Sequence, residues 1–472
     1  MESYRPLGLM LGLVLVHGGC AVRSVSIAVP TTHAVLPSKW AQSPAGVVDQ
    51  PLPDLSTWWE QFGDTGLTSL VNQALQGSPD VRSAKWRLQQ ARAERQVAQA
   101  GFLPSVSGNA AVSEAKGRPL TSAPSLDASW QPDVFGATRA SVDAADAEVS
   151  VTVEDLHATQ VSLSAEIART YAELRTTQRR LGILRGNVDA QSETLQLTGF
   201  RAQAGLVSSV DVEQARTNLE QNRAQIPSFE SSIAQQTHRL SVLVGMEPEA
   251  LTHTLSESGP LPEVPESVVV GIPAESLRQR PDVRAAEQRV IAETARLAGA
   301  NTGRFPRFSL SGSIGSEIVK QALTGGTSLV ASAAASVAQT LFDGGRIRQQ
   351  IAAQSAVREQ RLASYESTVL AALEEVANAL VSFETSRSRL ESLRSAEQAA
   401  QNAALLAQTQ YSAGLADFQR VLDTQRTVLS VQDSVAITEG DRVTTLVQLF
   451  TALGGGWSSA AEAMTVSGSH VQ

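Results

Sequence analysis

A single cysteine, Cys20, stands in 472 residues, which excludes an intrachain disulfide and any zinc cluster built on cysteine. Aromatic residues are scarce, at 4%, although hydrophobic residues reach 42%. A bulky aromatic core is thereby excluded, and the stretches rich in Ala, Ser, Gln, Leu and Val favour extended helices packed through small side chains. Cationic excess is also missing. The net charge is −9, and Lys and Arg form no run longer than a pair, which argues against a surface for nucleic acid or anionic lipid. After residue 20 no stretch reaches the roughly 18 apolar residues that a transmembrane helix requires. The later histidines (His33, His157, His238, His253 and His470) show no ligand spacing, and there is neither a nucleophile elbow nor a phosphate loop. No metal, cofactor or enzymatic chemistry is expected.

What is present begins with an export signal over residues 1–19. Arg5 precedes an apolar run from Leu7 to Val16, followed by Gly18-Gly19-Cys20. The run is too short to span a bilayer as a helix. Its end looks like a lipoprotein signal, in which the cysteine thiol is diacylated and becomes the first residue of the mature chain. His17 stands where that pattern has Leu, and Ala21 resembles lipoproteins sent to the outer membrane. Residues 20–59 are then expected to form a lipidated, extended segment.

The remainder is a tandem duplication. Pro79-Asp80-Val81 recurs as Pro281-Asp282-Val283 at an offset of 202, which also pairs Gly101 with Gly303, Pro104 with Pro306 and Ser107 with Ser309. Phe135 and Arg139 match Phe342 and Arg346 at 207. Ala204-Gly205-Leu206 matches Ala413-Gly414-Leu415 at 209, and Leu243 and Gly245 pair with Leu453 and Gly455 at 210. The copies run over residues 60–246 and 274–457. Between them, residues 247–273 carry five prolines and read as an extended connector, and residues 458–472 form a disordered tail.

Each copy reads as helix, two strands, very long helix, tight turn, helix. From Phe308 to Gly315 the pattern alternates, with Phe308, Leu310, Gly312 and Ile314 on one face and Ser309, Ser311, Ser313 and Gly315 on the other. Val106 to Val112, Leu126 to Trp130 and Leu329 to Val337 alternate likewise. Period-two strands of about nine residues, apolar on one side and small-polar on the other, fit a membrane barrel around a watery lumen; a half-buried soluble sheet has the same period. From Ala137 to Phe200 there is no proline, and one register of period seven is apolar at six of its seven positions: Val153, Gln160, Ile167, Leu174, Leu181, Val188, Leu195. The register three residues later is half polar (Leu156, Leu163, Thr170, Thr177, Leu184, Gln191, Thr198), which fits a helix packing sideways into a hollow cylinder. About 64 residues at ~1.5 Å each reach ~95 Å, a rod and not a globular helix. Four strands cannot close a membrane barrel, so the chain must oligomerise. Two copies give a filled barrel, three an aqueous one, and the polar inner face favours three.

These features are similar to those of the TolC-like outer-membrane efflux proteins of lipoprotein type. The residues that carry the resemblance are Ser129-Trp130-Gln131-Pro132-Asp133-Val134-Phe135-Gly136, Gln339-Thr340-Leu341-Phe342-Asp343-Gly344-Gly345-Arg346, Arg280-Pro281-Asp282-Val283-Arg284, Tyr411-Ser412-Ala413-Gly414-Leu415, Leu422-Asp423-Thr424-Gln425-Arg426 and Gly454-Gly455-Gly456-Trp457. The resemblance implies an α+β membrane protein: a trimeric β-barrel that continues into an α-helical periplasmic tunnel, served by a periplasmic adaptor and an inner-membrane pump of the RND type. Pro104, Pro132, Gly136, Pro306, Gly344 and Gly345 would sit at the barrel–helix junctions. The turns Gly205-Leu206 and Gly414-Leu415, with Ser208 or Ser209 capping the next helix, would be the tips where the adaptor docks. Relatives pinch the tunnel shut there with carboxylates and a Tyr–Arg–Asp link. Tyr411 and Asp211 match that link, Ala416 replaces its Arg, and Asp417, Arg420 and Asp423 lie close by. Two alternatives belong to other systems: a periplasmic adaptor lipoprotein with helical hairpins, and the outer-membrane channel of a type I protein secretion system. An adaptor would lack the duplicated strand pair.

Overall fold

The computed structural model describes residues 47–48, 54–114, 116, 120–265, 268–269, 277–320 and 326–457. The signal, Cys20 and the C-terminal tail lie outside them, as does most of the 20–59 segment. In chain order the elements are β1 (Val47–Val48), a 3-10 helix (Trp58–Phe62), α1 (Thr65–Gly77), α2 (Pro79–Ala100), β2 (Ser105–Ser113), β3 (Leu120–Trp130) and α3 (Ala137–Gln203). Next come α4 (Ser209–Arg223), α5 (Ile226–Val244), α6 (Thr252–Leu255), β4 (Val268–Val269), α7 (Pro281–Thr302), β5 (Arg307–Lys320), β6 (Gly326–Ala338), α8 (Arg346–Ser412) and α9 (Phe418–Ala452).

The duplication is more regular in space than in sequence. α2 and α7 each run 22 residues from a first-turn proline, and α3 and α8 each run 67 residues, which is ~100 Å of helix. Gly136 and Gly345 stand immediately before the long helices, both with positive φ (82° and 90°). From there one offset, 209, holds throughout. It pairs Gly205 with Gly414 and Gly245 with Gly454, each with positive φ in a Schellman turn: Leu206 donates to the Arg201 carbonyl as Leu415 does to Gln410, and Met246 to Ser241 as Gly455 does to Phe450. The offsets of 207 and 210 expected at the junction and at the closing glycine are therefore corrected to 209. The step from 202 to 209 is confined to the hairpin and the junction after it, because β5 and β6 (14 and 13 residues) are longer than β2 and β3 (9 and 11).

Two further expectations change. The returning helix of the first copy is broken at Ala224–Gln225. Pro227, in the first turn of α5, has no N–H to continue the ladder, whereas α9 runs 35 residues unbroken. The connector is not simply extended: it holds α6, and Val268–Val269 pairs in parallel with Val47–Val48.

Four strands form one antiparallel sheet in the order β2-β3-β5-β6, so the hairpins of the two copies lie side by side. The β3–β5 pairing is interrupted at Ala123–Pro124, where proline lacks a donor; Gly315 sits so close to the Pro124 carbonyl that a Cβ there would lie 2.6 Å from it. Below the sheet, α3 packs on α2 and α7, and α8 on α7 and α9. The main core gathers Trp58, Trp59, Phe62, Leu67, Ile167, Leu174, Leu240, Leu446 and Phe450, all nearly inaccessible. Trp58 stacks on Phe450 at 5.5 Å between centroids. Each such side chain contributes roughly 1.5–3 kcal/mol on burial. Trp58 and Trp59, placed by sequence in an extended segment, are thus part of the core.

The family-marking motifs serve this region. A Cβ on Gly455 would lie 2.8 Å from the Leu55 Cβ, and one on Gly454 2.9 Å from the Arg280 Cα. Arg280 is buried, donates to the Ala452 carbonyl at 2.8 Å, and forms ion pairs with Asp282 and Glu375, both at 2.7 Å. It ties the start of α7 to α8 and α9.

Candidate functional site

Two regions concentrate the features a conduit would need: the sheet and the far ends of the long helices. On one face of the sheet lie Val106, Ala110, Val112, Leu126, Trp130, Leu310, Ile314, Ala331, Ala333 and Val337. Val106, Val112 and Val337 are more than 60% exposed, which water would disfavour and lipid accommodates. The other face is a hydroxyl ladder. Ser105 meets Ser129 at 2.8 Å, Ser113 meets Thr121 at 2.6 Å, Ser309 meets Ser336 at 2.6 Å and Ser313 meets Ser332 at 2.7 Å. Cross-strand pairing of this kind leaves the polar face ordered yet wettable.

The lower end of the sheet carries aromatics. Phe135 stacks on Phe305 at 4.8 Å and lies 6.3 Å from Phe308, the Trp130 indole donates to the Phe102 carbonyl at 2.9 Å, and Phe342 is exposed. Such a girdle marks a membrane–water boundary. The predicted junction residues sit there: Pro104 and Pro306 immediately before β2 and β5, Pro132 with its carbonyl accepting from Val134, and Gly136, Gly344 and Gly345 in left-handed turns. Two functional carboxylates within the quoted motifs went unassigned. Asp133 accepts from the Thr138 and Arg139 amides at 3.1 and 2.8 Å, and Asp343 from Gly345 and Ile347, both at 2.9 Å. These bonds satisfy the first free N–H groups of each long helix. The Ile347 amide above all holds the Asp343 carboxyl below its ordinary range; desolvation opposes it, and the Gly345 amide and the charge of Arg346 add to the lowering.

Along α3 the half-polar register is buried inside the protomer. Gln236 donates to Thr177 at 3.2 Å, Asn222 to Gln191 at 2.9 Å and Tyr411 to Thr198 at 3.4 Å. The polar seam is thus a hydrogen-bonded ladder between α3 and the helices beside it within one chain.

At the tip, Gly205 (φ 72°) and Gly414 (φ 77°) end the long helices, and Leu206 and Leu415 are 68% and 80% exposed. Ser208, and not Ser209, is the N-cap of α4; it forms a capping box with Asp211, whose carboxylate accepts from the Ser208 amide at 3.0 Å. Asp417 caps α9 by accepting from the Arg420 amide at 3.0 Å, and Asp423 accepts from Gln419 at 3.0 Å. Tyr411 is buried with Phe418, Val421, Leu422 and Ala215. Its partner in the protomer is Arg201, missed from sequence, whose guanidinium lies 4.4 Å from the Tyr411 ring centroid and donates to the Tyr411 carbonyl. The signal for it was position: Arg201 is one turn before Gly205, where a cation favours a helix C-terminus. Tyr411 and Asp211 each have another partner here, and Ala416 offers none.

Among the described residues no helix is long and apolar enough to cross a membrane, and no cluster of potential metal ligands occurs. A four-stranded sheet with an exposed apolar face, set on ~100 Å helices, defines a membrane channel wall joined to a periplasmic shaft. Residues 70–246 and 272–455 match the model of the outer membrane efflux protein family. The chain belongs to that family, and it is an outer-membrane efflux channel, not an enzyme. Nodulation protein T of Rhizobium leguminosarum bv. viciae is 30% identical over 423 residues, 88% of each chain. Outer membrane protein OprJ of Pseudomonas aeruginosa is 29% identical over 421 residues, 86% of this chain and 87% of that one. The solved outer-membrane channel OprN shares 33% identity at a TM-score of 0.81, covering 91% of this chain and 99% of that one.

Proposed function

We propose that three copies of this chain assemble head to tail into a closed barrel continuous with a helical tunnel, as the outer-membrane exit duct of a tripartite efflux pump. The observation that carries this reading is the sheet's open order. Among the described residues β2 and β6 have no neighbour on their outer edges, and the strand faces are exposed. In lipid each unpaired backbone group costs several kcal/mol, so edge β6 of one copy must meet edge β2 of the next. α8 and α2 flank the helical layer on the same two sides, so one rotation closes both layers.

In this reading 1–19 is removed as a signal peptide, Cys20 is acylated and adds a lipid anchor, and the two copies (60–246 and 274–457) each supply a hairpin to the barrel. The exposed tip turns at Gly205-Leu206 and Gly414-Leu415 seat a periplasmic adaptor that links the duct to an inner-membrane pump of the RND type. Asp211, Tyr411, Asp417, Arg420 and Asp423 surround the tunnel mouth and set its resting closure. The cargo class is small molecules, in line with relatives named for solvent efflux and pyoverdine export. Native mass measurement of the detergent-solubilised protein tests the assembly. Three copies are expected; a stable monomer would refute it, because the sheet edges would stay open in lipid.

A further inference from the structure

We propose that Asp127 is a charge-selecting residue of the barrel lumen, favouring passage of cations over anions through the β-barrel independently of the helical tip. The proposal rests on the trimeric-barrel reading and adds a determinant at the membrane end of the duct.

The register places Ser107, Asp127, Ser313 and Ser332 in one row across the four strands, on the face that carries the hydroxyl ladder. Three of the four are hydroxyls, and the fourth is a carboxylate near the middle of its strand. Asp127 is half-buried and held: its Oδ2 accepts from the Asn109 amide at 2.7 Å and the Ser125 hydroxyl at 2.9 Å. Two donors on one oxygen fix the carboxylate in place. Among the described side chains no basic group pairs with it. Among the described side chains of the four strands the one basic group is Arg307, six positions along β5 from Ser313 and therefore about 20 Å away, beyond a Debye length of about 8 Å. Glu317, on the same face four positions the other way, lies about 13 Å off and is screened by the same length, so the local sign is set by Asp127 itself. Threefold closure would turn the row into a ring of hydroxyls with three fixed carboxylates. A positively charged solute meets a favourable field at this depth and an anion meets the opposite.

Placing one cysteine beside Asp127 tests this without involving the tip. Ser313→Cys puts a thiol on the neighbouring strand, about 5 Å across the row. In the full-length protein in lipid vesicles, cationic and anionic methanethiosulfonates of similar size are applied from the outside, with the chain lacking an added cysteine as blank. Coulomb attraction at that distance, screened by ~0.1 M salt, gives a cation-to-anion rate ratio that drops roughly three- to ten-fold on Asp127→Asn. Asp127→Lys should invert it, and Glu317→Gln should move it less. A cysteine at Ile314, on the opposite face, should react with neither reagent. An unchanged ratio in both Asp127 variants overturns the proposal and leaves the barrel reading intact. A Ser313→Cys thiol unreactive to both reagents while that at Ile314 reacts would reverse the faces, and both readings fall together.

Discussion

Gly440 offers the most direct test of how the tunnel wall is packed. It lies buried in α9 against α3, and a Cβ built on it would stand 2.1 Å from the Thr176 Oγ1 and 3.0 Å from its Cγ2. Ordinary carbon–oxygen contact needs more than a further ångström, so Gly440→Ala must separate the two helices or turn Thr176. Turning is resisted, because Thr176 is β-branched and its hydroxyl donates to the Ala172 carbonyl at 2.7 Å. Overpacking of this kind costs about 1–3 kcal/mol. Replacing glycine within a helix returns about 1 kcal/mol. A contact as short as 2.1 Å against a side chain that resists turning belongs in the upper part of the overpacking range, about 2–3 kcal/mol, so the net expectation is a loss of about 1–2 kcal/mol, and more for Gly440→Val. Thr176→Ala removes both offending atoms, so the double variant should regain most of the loss, a coupling of about 1–2 kcal/mol. The readout is the thermal dissociation midpoint of the purified oligomer in detergent, a few degrees lower for Gly440→Ala and nearly restored in the double variant. A Gly440→Ala protein as stable as the parent, or two effects that simply add, would show that α3 and α9 do not approach this closely.

Three further outcomes concern the tip and the anchor. Gly414→Trp, at φ 77°, should abolish efflux-dependent resistance while oligomer assembly is retained, because a side chain there is disfavoured by ~1 kcal/mol or more and blocks the docking turn; normal resistance would make the tip a passive turn. Asp423→Ala should raise single-channel conductance or weaken cation preference in planar bilayers. Asp211→Ala should do so too, and additionally lose a capping box worth ~1 kcal/mol, seen as faster proteolysis at the 204–209 turn; unchanged conductance in both would remove these carboxylates from the gate. Cys20→Ser should lose incorporation of a labelled fatty acid yet still insert, and an unlabelled parent cleaved elsewhere would disprove lipidation.

Much of this architecture was legible because it is written in periods. The alternation through Phe308 to Gly315 and the heptads from Val153 to Leu195 report strand and long helix by local geometry, and the repeat reports that each occurs twice. Glycines at 136, 205, 345 and 414 were legible because a left-handed turn admits little else. Harder to read was anything that depends on which neighbour a side chain meets. The Thr–Gln register of α3 has one sequence pattern whether it faces another subunit or Asn222 and Gln236, and only the packing of α4 and α5 placed those donors within reach. Asp211 matched a gate position, yet its carboxylate turns back to Ser208, because an N-terminal helix turn supplies free amides three residues away.

The sequence by itself determined the elements, their duplication and the need for more than one copy, since periodicity and unpaired strand edges are properties of the chain alone. The tertiary structure decided the constant 209 offset, the Arg201–Tyr411 contact, the core position of Trp58 and the row that sets Asp127 among serines. Those depend on register and on distances between segments more than a hundred residues apart, which local pattern does not encode.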